Sequence, residues 1–427
     1  MSETKSSFFD TLQEKVLPAV TKFSNFKFIK AMTTGITAPV CATIIGSVIA
    51  ILMTPPFPPT TTGGFVDAWR GWSAANASWL SLVYSLTLNS VALYTLAGVS
   101  IATSGLNKKR PTTPLVVAMM SFMILAVNPA EGGGVLINHF GSTGLFTAII
   151  VGYIVTDIIN KLDDSKLKIK LPDAVPPNIA DSIGALFNSM IVAFAVIVLR
   201  VVLVNTTGKL LPVLINSLFA PLFSASDSVW AVLLMILLVR FFWFCGLHGG
   251  NIAGSVMTPF LTANMLANSE AYASGQALPH IFTGAFNSLW GTMGMLPIAI
   301  TLLLFAKSEQ LKAIGRIGVV PALFCIGEPL TFGIPLVLNF QLAIPYFLTF
   351  VINGVTAYLA TAAGFIGRSF VSVPWTLPHF LQAFLTTMDI KTVILYFILL
   401  VVDILIMLPF VRRYDRQLLE QEQSALD

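Results

Sequence analysis

The sequence predicts an all-α polytopic membrane protein with about ten transmembrane helices, two re-entrant hairpins and amphipathic helices. Three observations carry this. Hydrophobic residues make up 56% of the chain and charged residues only 10%, against about 25% charge in a soluble domain. Mean hydropathy is +0.83, so too few polar side chains exist to cover a water-facing surface. The apolar residues come in long runs, and the basic residues fall in short clusters between them.

The elements follow in chain order. Residues 1–30, MSETKSSFFDTLQEKVLPAVTKFSNFKFIK, have no compact apolar run and no small-residue cleavage site, so they do not read as a signal peptide. Their spaced apolar residues suit an amphipathic segment lying on the cytoplasmic membrane surface. A crossing helix needs about 20 apolar residues. Spans fall near 31–53, 80–104, 112–128, 143–160, 186–205, 209–223, 227–247, 285–305, 341–362 and 391–411. The run at 209–223 is short and also suits an interfacial helix. Lys161 to Phe187 is the largest polar insert, and Pro172, Pro176 and Pro177 interrupt any helix there. After them, Asn178 to Phe187 reads as amphipathic. The insert separates a first-half scaffold and dimerisation domain, 31–185, from a second-half transport domain, 186–411, followed by a cytoplasmic tail, 412–427.

Charge sets the expected topology. Lys5, Lys15, Lys22, Lys27 and Lys30 precede the first span. Lys108, Lys109 and Arg110 follow the second, and Lys161, Lys166, Lys168 and Lys170 follow the fourth. The intervening loops carry at most Arg70. This alternation puts the N-terminus in the cytoplasm; Lys307, Lys312 and Arg316 mark another inside loop, and Arg412, Arg413 and Arg416 an inside C-terminus. The net charge of +4 is dispersed, with no basic stripe interleaved with aromatics, so nucleic-acid binding is excluded. Cys41, Cys245 and Cys325 lie in apolar runs without metal or redox spacing and read as small buried hydrophobes. No metal-ligand spacing, nucleotide-binding glycine loop or serine nucleophile motif occurs, and no cofactor is expected.

Two stretches do not behave as spans: GLHGGNIAGSVMTPFLTANMLAN (246–268) and CIGEPLTFGIPLVLNF (325–340). Each places a Gly- or Pro-interrupted polar motif before an apolar run. Such backbone is tolerated at membrane depth only where it faces protein or a watery cavity, and it points to a transporter's binding site. An ordinary extramembrane loop is the other reading. Glu328 and His248 sit inside these motifs, and an ionisable residue at membrane depth is a functional candidate by default. A carboxylate and an imidazole, with Asn251, Asn339 and Trp243 nearby in sequence, suit a polyol. Trp375 offers either a stacking platform for a sugar ring or an interfacial anchor. His248 alone also suits a helix-end histidine bonded to backbone. His139 and His280 fall in outer loops and read as solvated or structural, whereas His379 stays open.

FWFCGLHGGNI, GEPLTFGIPLVLNFQLAIPYFL, KLPDAVPPNIADSIGALF and SVPWT, occurring in this family's motifs, resemble enzyme IIC, the membrane permease subunit of bacterial phosphotransferase-system sugar transporters. The likeness is to the lactose, cellobiose and diacetylchitobiose branch and runs from about Phe9 to about Arg413. It implies a ten-span homodimer in the bacterial cell membrane that binds a disaccharide in its second half. It also implies that Glu328 and His248 contact the sugar near the hydroxyl that receives phosphate, and that Trp375 is the motif tryptophan. The phosphate donor is implied to be a phosphocysteine on a separate IIB protein, charged by IIA. In that sense the chain is the membrane subunit of a phosphoenolpyruvate-dependent sugar phosphotransferase. The family usually has Asn before the motif Glu, where this chain has Gly327, and Asn-Pro where this chain has Asn339-Phe340. Its histidine motif more often reads G-I-H-G. The competing expectation is a proton-coupled or facilitative sugar transporter using Glu328 and His248 without phosphorylation.

Overall fold

The computed structural model describes Lys22, Ile183 and residues 25–57, 60–165, 185–334, 336–337 and 339–424. Most of the amphipathic segment expected at 1–30, and more than half of that expected at 178–187, lie outside the described residues. The chain forms two compact units: residues 1–53 with 71–222, and residues 54–70 with 223–427. The boundary read from sequence at 185/186 differs from this one by a long helix and most of the next.

In the first unit, helices α1 (Lys27–Gly35) and α2 (Val40–Met53) form one bent apolar pair. α3 (Gly64–Ala75) is divided, its residues up to Arg70 counting with the second unit, and the first unit continues with α4 (Ala77–Leu86), α5 (Val91–Leu106), α6 (Thr112–Ala126), α7 (Leu145–Asp163) and α8 (Leu186–Thr207). Between α6 and α7, Asn128–Pro129 and Val135–Leu136 pair as a two-stranded antiparallel hairpin. Buried hydroxyls tie the helices together: Ser100 Oγ and Thr156 Oγ1 are 2.7 Å apart. Small polar residues serve this purpose where lipid supplies no hydrophobic drive between helices. Asp157, near the end of α7, is held by several partners. It pairs with Lys27 and with Lys161 Nζ at 2.7 Å, and Asn107 Nδ2 donates to it at 3.3 Å.

α9 (Leu211–Ser226) contains the boundary between units. The second unit then holds α10 (Val229–Phe244), α11 (Gly249–Ala273), α12 (Gly284–Trp290), α13 (Met295–Phe305), α14 (Glu309–Leu323), α15 (Glu328–Gly333), α16 (Phe340–Ala362), α17 (His379–Thr387) and α18 (Ile390–Ser424). Its core centres on Trp290, Tyr346, Phe350 and Tyr396, each almost fully buried. Asn353 Nδ2 donates to the buried Asp403 carboxylate at 2.7 Å between α16 and α18. His280 is structural, with Nδ1 3.1 Å from Asp227. The described part of the tail expected at 412–427 is helical, because α18 continues to Ser424. There Asp415 accepts from Lys307 N–H at 2.8 Å, Ser308 N–H at 2.9 Å and Ser308 Oγ at 2.6 Å, fixing the start of α14.

Among the described residues, six helices are long and apolar enough to cross a membrane, or up to eight spans if each bent pair is one. The ten read from sequence differ in two places. The runs at 209–223 and 227–247 form one bent pair, α9 with α10. The run at 112–128 becomes α6, of only 15 residues.

Candidate functional site

Both interrupted stretches become helix breaks in the second unit, and they line one cavity of about 520 Å³. That volume falls in the roughly 300–1,000 Å³ range of small-molecule sites.

The first break follows α10. Gly246 takes a left-handed conformation, φ 81°, and Leu247 N–H closes back on Phe242 O at 2.9 Å. This is the usual chemistry for stopping a helix. His248 then caps α11, its Nδ1 accepting from Asn251 N–H at 3.2 Å. Nδ1 is thus an acceptor, and the ring proton sits on Nε2. Gly249 has no room for a side chain, because a Cβ there would lie 2.0 Å from Val239 O. Backbone contact between α10 and α11 therefore sets where His248 projects.

The second break lies between α14 and α15. Glu328 opens α15, with Pro329 in its first turn. Its Oε1 stands 3.9 Å from His248 Nε2, and both side chains are about half exposed to the cavity. The tilted ring of Trp243 packs 4.6 Å from the His248 ring. At Gly327 a Cβ would meet Met295 Cγ at 2.8 Å. Met295 fills that corner of the cavity here.

The structure thus brings Glu328, His248, Asn251, Trp243 and Trp375 to one cavity. Asn339 does not line it. Its Oδ1 caps α16, accepting from Gln341 N–H at 3.1 Å and Leu342 N–H at 3.4 Å.

Sequence reasoning missed other contributors. Arg240 reaches the cavity wall from α10 while buried; its Nη2 donates to Gly291 O at 3.0 Å and its guanidinium lies 3.8 Å from the Phe350 ring centroid. Stacking of that kind offsets part of the cost of a buried cation. The sequence showed an arginine on a span but neither of its distant partners. Beneath the Trp375 loop, Gln382 Nε2 donates to Trp375 O at 2.8 Å and Leu377 O at 2.7 Å. Gln382 Oε1 accepts from the cavity-lining Ser288 Oγ at 3.0 Å. His379 Nε2 lies 2.8 Å from Thr292 Oγ1. Burial holds the His379 imidazole down at about 4, so it is neutral at ordinary pH. Cys325, expected to be an inert apolar filler, is hydrogen-bonded, and burial pushes its thiol up to about 12. Cys41 is exposed, not buried. Among the described residues no group of three or more His, Cys, Asp or Glu is arranged to hold a metal ion.

A half-open cavity with a carboxylate, an imidazole N–H, amides, hydroxyls and exposed indole is built for a polyhydroxylated solute. Set among apolar helices broken at two places, it defines a membrane transporter. Comparison with known proteins gives the family. The family description "Phosphotransferase system, EIIC" matches residues 33–354. The chain is 31% identical to the PTS system cellobiose-specific EIIC component of Geobacillus stearothermophilus, over 98% of this chain and 96% of that protein. It is 30% identical to the lichenan permease IIC component of Bacillus subtilis (strain 168), over 97% and 95%. The crystal structure of the transporter ChbC, the IIC component from the N,N'-diacetylchitobiose-specific phosphotransferase system, aligns with a TM-score of 0.86 at 29% identity, covering 96% of this chain and 99% of that one. The chain belongs to the EIIC family of the phosphotransferase system, and it is an integral membrane sugar permease of that system.

Proposed function

We propose that the chain carries a disaccharide of the cellobiose, diacetylchitobiose or lactose kind across the bacterial cell membrane, and that the sugar is phosphorylated in the cavity by a phospho-IIB protein. The relatives named for cellobiose and for diacetylchitobiose support the sugar class, as do relatives named as lactose-specific EIICB components. The observation that carries the site is the approach of Glu328 Oε1 and His248 Nε2 to 3.9 Å at the rim of one cavity.

In this reading a sugar hydroxyl donates to Glu328 and accepts from His248 Nε2–H, whose tautomer the Asn251 N–H fixes. Trp375 takes an apolar ring face, while Asn251 and Trp243 border the bound sugar. Phosphoryl transfer leaves the protein chiefly positioning and charge stabilisation to supply. The hydroxyl oxygen forms its bond to phosphorus as the cysteine–phosphorus bond of IIB breaks. The hydroxyl proton passes to Glu328, and the released thiolate recovers a proton from solvent. A carboxylate repels an incoming phosphoryl group, so Glu328 orients and deprotonates the hydroxyl rather than holding the phosphate. The second unit is the transport domain, the first is the scaffold through which two copies pair, and both termini face the cytoplasm, as the alternation of basic loops suggests.

Uptake of labelled disaccharide into proteoliposomes tests the reading. Phosphorylated product is expected only when phosphoenolpyruvate, the general phosphocarriers, IIA and IIB are supplied. Accumulation of unmodified sugar driven by a pH gradient alone would instead establish a proton-coupled transporter.

A further inference from the structure

The turn between α14 and the Glu328 segment holds a strained residue with an unusual set of partners. α14 closes through Ile326 N–H to Pro321 O at 2.9 Å and Cys325 N–H to Ala322 O at 3.1 Å. This closure puts Cys325 in the left-handed region, φ 66°. Helices commonly carry glycine there, since any side chain adds backbone strain. A cysteine at this position needs a reason, and its sulfur shows one. Sγ lies 3.1 Å from Leu377 O, 3.3 Å from Gln382 Nε2 and 3.5 Å from His379 Nδ1.

Donor accounting sorts these contacts: the single thiol proton goes to Leu377 O, so the sulfur only abuts Gln382 Nε2 and His379 Nδ1. The Thr292 hydroxyl donates to Ser288 O at 2.6 Å, so it accepts from His379 Nε2–H. Neutral His379 then has Nδ1 as an acceptor facing the thiol. Gln382 spends its two N–H groups on Trp375 O and Leu377 O and its carbonyl on Ser288. Gln382 and His379 are essentially fully buried. The Trp375 loop has no regular secondary structure, and these side chains are what hold its carbonyls. Cys325 is bonded to that loop and stands three residues before Glu328.

We propose that Cys325, Gln382 and His379 form a positioning clamp that fixes the Trp375 loop against the Glu328 segment and thereby sets the affinity and selectivity of the sugar cavity. The clamp rests on the reading that Trp375 contacts sugar. Strain and function pull in opposite directions at Cys325, and this makes the proposal testable. In Cys325→Gly the backbone relaxes, but the bond that ties the loop at Leu377 O to the Glu328 segment is lost.

The experiment is isothermal titration of the purified full-length protein with cellobiose, lactose and diacetylchitobiose, following the tightest binder, alongside thermal melting. Cys325→Gly is expected to melt no lower than the parent yet to lose about tenfold in affinity, equivalent to ~1.4 kcal/mol. Cys325→Ser, which keeps a donor, is expected to stay within about threefold. In a Trp375→Ala background the Cys325→Gly effect should shrink to less than about twofold, because the clamp acts through that side chain. Unchanged affinity in Cys325→Gly overturns the clamp. So does the same tenfold loss in the Trp375→Ala background, or a loss that appears only with a lowered melting temperature. If Trp375→Ala itself binds every sugar as tightly as the parent, the sugar-site reading fails, and the clamp with it. A weakened Trp375→Ala beside an unaffected Cys325→Gly rejects the clamp alone.

Discussion

One added methyl group at Gly249 should disable the site from behind. A Cβ there would lie 2.0 Å from Val239 O, 2.9 Å from Val239 C and 3.0 Å from Val239 Cα. All three atoms belong to the α10 backbone, so no side chain can turn aside to make room. Reaching an acceptable contact requires α10 and α11 to part by about 1 Å. Overpacking of this kind costs typically ~1–3 kcal/mol. The displacement falls on the residue next to His248, and misplacing a catalytic group by about 1 Å can cost ~10²-fold in rate. Gly249→Ala is therefore expected to melt lower than the parent and to phosphorylate sugar about a hundredfold more slowly. The assay is melting of the purified protein together with phosphoenolpyruvate-dependent phosphorylation in vesicles. Gly105→Ala is the control, since a Cβ there meets nothing within 4 Å. A Gly249→Ala protein with parental stability and turnover would refute the claim that backbone contact at this crossing places His248.

Other consequences follow from the same geometry. Asp415→Ala removes the acceptor of three hydrogen bonds at the start of α14; leaving buried donors unpaired should cost about 2–4 kcal/mol of stability in denaturant or thermal unfolding. Burial holds His379 down at about 4, below its usual value near 6.5. The unfolded chain thus binds more protons between those values, and stability should fall as pH drops from about 6.5 towards 4, by up to roughly 3 kcal/mol. His379→Gln should flatten that part of the pH–stability profile. Gly327→Asn should overpack against Met295 and weaken sugar binding, whereas Gly327→Asn with Met295→Ala should recover it, as a double-mutant cycle in binding affinity would show.

The legible parts of this protein were those where a polar or flexible residue interrupts an apolar run. Glu328 and His248 stood out because charge at membrane depth is expensive, and the Gly and Pro residues around them marked both helix breaks. The runs themselves were clear, but their counting was not. α10 is apolar apart from Arg240, so hydropathy alone could not show that it pairs with α9 as one bent element. What stayed hidden depends on long-range partners. Gln382 looks like an ordinary polar residue in sequence, yet it ties the Trp375 loop to the distant Ser288, which only the fold brings beside it. Cys325 reads as a small hydrophobe until its positive φ and its neighbours are seen. Asn339 is the opposite case. Its nearness to Glu328 in sequence suggested a ligand contact, while its side chain serves the local need of the α16 N-terminus.

The central claim is that Glu328 orients and deprotonates the hydroxyl that receives phosphate. Glu328→Gln keeps the shape and one acceptor but removes the basic oxygen. Measured with purified IIA, IIB and labelled disaccharide, this variant should bind sugar within about tenfold of the parent. Its rate of phosphorylation should fall by at least ~10²-fold, the usual contribution of a general base. Phosphorylation at the parental rate by Glu328→Gln would contradict the account.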